Sequence, residues 1–218
     1  MTEPLDLARF NMIQQQIRPF EISGEQIIHL LEQLNRQDFV PESQKQNAYF
    51  DILIPLDCGQ EMLEPKTEAK ILQALDISPT DKILEIGTGS GFLTACLATL
   101  GQHVFSYDIH EALTTFAQSN LDAHGIKNVT LKTEDALDHW DSTDLYDVIV
   151  LTGAAKAFNE EWKNRLKVGG RLLFFLGSSP SECILVTRTT QGTFEYDSLF
   201  DLYAPDLIEN DLEPEFDF

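Results

Sequence analysis

A chain of 218 residues is long enough to bury one sizeable core, and its 43% apolar and 23% charged composition is that of a globular protein. No apolar run approaches the roughly 18 residues of a membrane span, and the MTEPLDLARF start has no apolar stretch of the secretory kind. With 36 acidic against 15 basic residues, a net charge of −21 argues against a broad phosphate-binding face, so nucleic acid is a poor partner; the charge reads first as a solubilising surface and second as a field that attracts cationic ligands.

In chain order, helical periodicity comes first. Ser23 and Gln26 have capping-box spacing, and Ile27, Leu30, Leu31 and Leu34 then recur as one buried helix face. Residues 51–57 read as extended or irregular. A second helix is expected from Pro65, with Ala69, Leu72 and Leu75 inward and an end by Ser78-Pro79. Residues 1–79 thus read as a helical flank or lid on a main domain of residues 80–218.

From there short runs rich in Val, Ile, Leu and Phe follow one another at 82–86, 103–108, 129–132, 147–151 and 171–176. Buried parallel strands look like this, and the segments between them are long enough for helical crossovers. Leu113, Phe116, Ala117 and Leu121 share one face of such a helix. The ending differs: 183–188 and 194–200 are separated by a Gln191-Gly192 turn too short for a parallel crossover, so a closing antiparallel hairpin is expected. The fold class is α/β, a doubly wound, mostly parallel, Rossmann-like sheet of seven strands.

The chemistry centres on Glu85-Ile86-Gly87-Thr88-Gly89-Ser90-Gly91, directly after the first of these strands. Gly87, Gly89 and Gly91 permit tight turning and close backbone approach to a ligand. Phe92 stands where a dinucleotide fingerprint has its third glycine, and Glu85 reads as a carboxylate facing the cleft, unwelcome to a pyrophosphate but favourable to an ammonium or sulfonium. Asp108 ends the next strand, placed either to hold ribose hydroxyls or to cap the helix at 110–120. Asp135, after the third, stands beside an expected adenine position or caps a loop. Glycine loop, two carboxylates and terminal hairpin together give the layout of a class I methyltransferase using S-adenosylmethionine and releasing S-adenosylhomocysteine. Cys58, Cys96 and Cys183 form no metal or redox spacing and suit a reducing cytoplasm, and the five histidines assemble neither a metal site nor a base dyad.

Longer stretches resemble the protein-L-isoaspartate O-methyltransferase family over nearly the whole chain. They are Arg36-Gln37-Asp38-Phe39-Val40-Pro41, Ala48-Tyr49-Phe50-Asp51, Ile54-Pro55, Gly59-Gln60, Pro65, Ile83 through Phe92, Tyr146 through Thr152, and Gly169-Gly170-Arg171-Leu172. The resemblance implies carboxyl methylation of abnormal aspartyl residues in proteins. It assigns Glu85, Gly87, Thr88, Gly89, Gly91, Asp108, Ile109, Asp135 and Ala136 to the cofactor, and Ile54, Gln60, Leu63, Lys66 and Thr152 to the acceptor, with no metal. One departure stands out. Where the family reads Gly-Gln-Thr-Ile-Ser-x-Pro-His, this chain reads Gly59-Gln60-Glu61-Met62-Leu63-Glu64-Pro65-Lys66, as in a divergent bacterial branch. Leu63 holds the serine position, so no catalytic residue is assigned. Lys66 either orients an acceptor anion or is a solvated first-turn residue. Weak or absent isoaspartyl turnover is expected. The alternatives are another acceptor, protein or small molecule, a cofactor-binding regulatory protein, and, last, a dinucleotide oxidoreductase.

Overall fold

The computed structural model describes residues 4–208 apart from 21, 23 and 137–143. Ser23 of the expected capping box and the acidic end at 209–218 lie outside the described residues. Helices α1 (Pro4–Met12), α2 (Glu25–Gln33) and α3 (Pro65–Leu75) form the front, joined by 3-10 turns and a two-strand ribbon of β1 (Ile54–Pro55) and β2 (Glu61–Met62). Pro65 opens α3, where its missing N–H costs nothing, and Asp76 closes it in a left-handed conformation. Ile27, Leu30, Leu31 and Leu34 are buried, as are Ala69, Leu72 and Leu75. Among the described residues no helix is long and apolar enough to cross a membrane.

The sheet comprises β3 (Lys82–Ile86), β4 (His103–Asp108), β5 (Val129–Thr133), β6 (Tyr146–Ala155), β7 (Leu166–Leu176), β8 (Ser181–Thr190) and β9 (Thr193–Leu202), with α4 (Phe92–Leu100), α5 (Glu111–Ala123) and α6 (Glu160–Asn164) between them. The spatial order is β5-β4-β3-β6-β7-β8-β9. Pairing is parallel from β5 to β7 and antiparallel for β7·β8 and β8·β9. The seven strands, the parallel core and the closing hairpin accord with the sequence reading, and β7·β8 adds a second hairpin.

Strand parity divides the core in two. Ile83, Val104, Val148, Val150, Leu173 and Phe175 face one layer, which is continuous with Met12, Ile17, Leu31, Phe39 and Leu72 of the front segment. Leu84, Ile86, Ile149, Leu151, Leu172 and Phe174 face the other, against Trp162 of α6. The chain order reverses between β3 and β6, and in an open α/β sheet such a switch point opens a crevice at the strands' carboxyl ends.

Candidate functional site

At that crevice, at the carboxyl ends of the strands, lies an open cleft. Ile86, Gly87 and Gly89 form its floor, and Asp108, Ile109, Asp135 and Ala136 one wall. Gln60, Glu61 and Thr152 contribute from the opposite side.

The glycines are needed for distinct reasons. Gly87 has φ +96°, and a Cβ there would sit 2.2 Å from Oγ1 of Thr152. That hydroxyl donates to the carbonyls of Ile86 (3.1 Å) and Gly87 (2.7 Å), fastening the loop to β6 across the switch point. Gly89 presents bare backbone to the cleft, and its N–H donates to Oδ2 of Asp108 at 3.0 Å. Gly91 does not line the cleft. It caps α4 at φ +81°, and a Cβ would meet that of Ala117 at 2.9 Å, so it serves the packing of α4 against α5.

Asp108 takes the helix-starting role and also stands at the edge of the cleft. Its Oδ1 accepts from the His110 N–H at 3.0 Å, starting α5, while Oδ2 holds the glycine loop, and the carboxylate still borders the cleft.

Glu85 requires a correction. It shares the parity of Ile83, not of Ile86, and so points beneath α4 and away from the cleft. It is fully buried. Oε2 accepts from Thr94 Oγ1 (2.5 Å) and Ser106 Oγ (2.6 Å), and Thr88 Oγ1 lies 2.6 Å from that same serine oxygen. Oε1 has no partner. Burial pushes the carboxyl up to about 8, against the pull of the Ser106 and Thr94 hydroxyls. Thr88 likewise belongs to this buried network and not to the cleft lining.

Of the acceptor candidates, Gln60 and Thr152 reach the cleft. Ile54 is buried in the ribbon opposite Met62. Leu63 is buried, with its carbonyl held by Nη2 of Arg36. Lys66 does not line the cleft and is half-buried: its Nζ lies 2.7 Å from Oδ2 of Asp51 and 3.9 Å from Glu64.

Tyr107, His110 and Leu113 also line the cleft, as do Pro205 to Ile208, which the sequence had placed beyond the last strand. After β9 the chain returns to β6. Ala154 N–H donates to the Pro205 carbonyl, and Leu207 N–H donates to that of Ala154, both at 2.8 Å. Gly153 was the available signal, since glycine inside a strand marks close backbone approach. A Cβ there would lie 3.0 Å from Leu207.

Among the described residues the charged lining is Glu61, Asp108, Glu134, Asp135 and Asp206, joined by His110 and Tyr107 and by no lysine or arginine. A cleft of that sign favours a cation and disfavours a pyrophosphate. His110 Nε2 is buried without a partner, a polar group awaiting a hydrogen bond.

The family model described as Protein-L-isoaspartate(D-aspartate) O-methyltransferase matches residues 8–203. A protein-L-isoaspartate O-methyltransferase of Koribacter versatilis (strain Ellin345) is 31% identical over 204 residues, covering 94% of this chain and 92% of that one. Its counterpart in Aliivibrio fischeri (strain ATCC 700601 / ES114) is 32% identical over 187 residues, 86% and 90% of the two chains. A Plasmodium falciparum structure assigned to the same enzyme and bound to S-adenosyl-L-homocysteine superposes with a TM-score of 0.80 at 20% identity, covering 94% of this chain and 98% of that one, which is a likeness of fold.

Proposed function

The chain belongs to the protein-L-isoaspartate(D-aspartate) O-methyltransferase family, and from that premise we propose that it methylates the free carboxylate of isoaspartyl residues in polypeptides, using S-adenosylmethionine. The observation that carries the reading is the family match over residues 8–203, which spans the glycine loop, Asp108 and the Gln60 segment alike.

The residues fit the cofactor. Gly87 and Gly89 offer unobstructed backbone to its amino-acid end, the Asp108 carboxylate suits its ribose hydroxyls, and Asp135 and Ala136 flank the place for its adenine. The acidic lining complements the ammonium and sulfonium charges. When bound, the cofactor supplies an electrophilic methyl, which a carboxylate oxygen takes while the broken S–C bond leaves its electron pair on sulfur, giving neutral S-adenosylhomocysteine. An acceptor carboxylate already bears its nucleophilic charge, so the protein need not supply a general base. What remains for it is alignment and exclusion of water, and effective concentration supplies most of the rate.

Gln60 and Glu61, carried to the cleft by the ribbon, stand on the acceptor side, and Thr152 fixes the loop beneath the donor. Leu63 gives the segment an apolar buried anchor where the family has a serine, consistent with an acceptor held by shape and backbone more than by a hydroxyl. The test is transfer of labelled methyl to an isoaspartyl peptide, with the same peptide bearing ordinary aspartate as control. A base-labile ester on the isoaspartyl peptide alone is expected. Calorimetric binding of S-adenosylhomocysteine without transfer to either peptide would overturn the acceptor and leave the donor standing.

A further inference from the structure

A chain of contacts runs along one face beside the Gln60–Leu63 segment. Phe50 and Ile52, 53% and 43% exposed, flank Asp51, whose carboxylate holds Lys66. Lys66 Nζ lies 5.0 Å from the ring centre of Phe20, itself 47% exposed. One helical turn along α3, Lys70 Nζ lies between two rings, 5.3 Å from Phe20 and 4.5 Å from Phe200. Arg18, exposed, precedes Phe20 by two residues in the same 3-10 turn.

Over the chain acids outnumber bases 36 to 15, whereas this face gathers three cations, Lys66, Lys70 and Arg18, beside Asp51 and Glu64. Lys66 engages both of those acids. Among the described residues neither Lys70 nor Arg18 has a carboxylate partner. An ammonium held over two aromatic rings keeps its charge and loses rotamer freedom, so it is pre-organised to receive an anion. Exposed aromatics on either side offer apolar contact to the chain that carries it.

We propose that this Phe50–Lys66–Phe20–Lys70–Phe200 face docks the acceptor polypeptide, selecting segments in which acidic and aromatic residues flank the methylated site. The inference rests on the reaction proposed above. It adds that a protein of strong negative charge recruits acidic partners through the one side of its acceptor segment where cations are left uncompensated among the described residues.

The experiment uses the full chain saturated with S-adenosylhomocysteine. Fluorescein-labelled peptides of about a dozen residues share a central isoaspartate and differ in having Glu/Phe or Lys/Phe flanks, and binding is read by anisotropy. The acidic-flank peptide is expected to bind about tenfold more tightly, a difference that shrinks as salt rises. Lys70→Glu and Phe20→Ala should erase the discrimination, while affinity for S-adenosylhomocysteine and turnover of a short isoaspartyl peptide without flanks stay at wild-type values. Equal affinity for the two flanks, or discrimination that survives Lys70→Glu, would overturn the proposal. So would sedimentation as a dimer that Phe20→Ala dissolves, because a second copy would then occupy the face. Discrimination intact with no methyl transfer to any isoaspartyl peptide would instead sink the reaction and leave the docking face.

Discussion

The guanidinium of Arg36 donates through Nη2 to the backbone carbonyl of Leu63. The same buried side chain pairs through Nη1 with Glu68 of α3, donates through Nε to the Ala48 carbonyl at 2.9 Å, and lies 5.1 Å from the Phe92 ring centre. One residue of the front segment therefore ties the loop at Leu63 to α3 and to the Ala48 turn. Removing only the cation would strand the Glu68 carboxylate, so Arg36→Met should cost about 3–5 kcal/mol in urea unfolding. The double variant Arg36→Met, Glu68→Leu should recover much of that loss. A single variant as stable as wild type would show that the pair contributes nothing.

The clash geometry at Gly87 sets a second expectation. An added methyl must displace Thr152 Oγ1 and also sit at φ +96°. Gly87→Ala should weaken S-adenosylhomocysteine binding by about 100-fold or more in calorimetry, near 2.7 kcal/mol. Thr152→Ala in the same chain should return only part of this, since it removes the contact and not the backbone strain. Full recovery would mean that the left-handed conformation is unimportant there.

Much of this arrangement was readable in advance. Strands β3 and β4 fall where runs of apolar residues end in Gly87 and Asp108, because both are bounded by residues with strong local preferences. β6 and β7 run longer than expected. Their pairing shifts register between Tyr146 and Val148 and between Val150 and Ala154, and it absorbs Gly169 and Gly170, which in isolation read as a break. Glu85 was misplaced because side-chain direction in a strand alternates, and adjacency to the loop does not fix which face a residue takes. Arg36 and the Pro205–Ile208 return are long-range: a buried charge and a one-residue bridge leave no local periodicity. Roles for Asp108 and Asp135 remain part of the proposed function.

Asp108→Asn would keep one acceptor oxygen but exchange the other for a donor facing a backbone N–H. Charge-assisted hydrogen bonds are worth about 1.5–3 kcal/mol, so affinity for S-adenosylhomocysteine should fall roughly 10- to 100-fold. Global stability should fall less, as only the loop-to-α5 tie is weakened. Unchanged affinity would remove Asp108 from the cofactor's ribose.

In the segment proposed to receive the acceptor, Leu63→Ser introduces the hydroxyl that the sequence resemblance implies at this position. A neutral hydrogen bond contributes about 0.5–1.5 kcal/mol, which caps the gain in kcat/KM toward an isoaspartyl peptide near tenfold. Cofactor affinity should not move, because Leu63 does not line the cleft. A larger gain would show that the serine does more than hold the acceptor, and a loss would make the buried leucine side chain itself the anchor.

Glu85 makes a pH signature that can be isolated. Its carboxyl titrates at about 8 in the folded chain against an ordinary 4.5, because burial disfavours the anion and Oε1 has no partner to offset that. The folded state thus holds a proton that the unfolded chain has released, and stability falls as pH rises across that interval. Glu68 adds to the same trend, since burial raises it to about 7 although Arg36 pulls it down. Between pH 7 and 8 the Glu85 contribution should dominate, with a limiting slope of about 1.4 kcal/mol per pH unit. Glu85→Gln keeps an oxygen for the Thr94 and Ser106 hydroxyls and cannot ionise. Urea midpoints for wild type should therefore decline steeply from pH 7 to 8, while those of Glu85→Gln keep only the smaller decline due to Glu68. Parallel curves would mean that Glu85 is already charged at neutral pH, in which case the Thr88–Ser106 hydroxyls stabilise an anion under the glycine loop and the neutral-acid reading of that network fails.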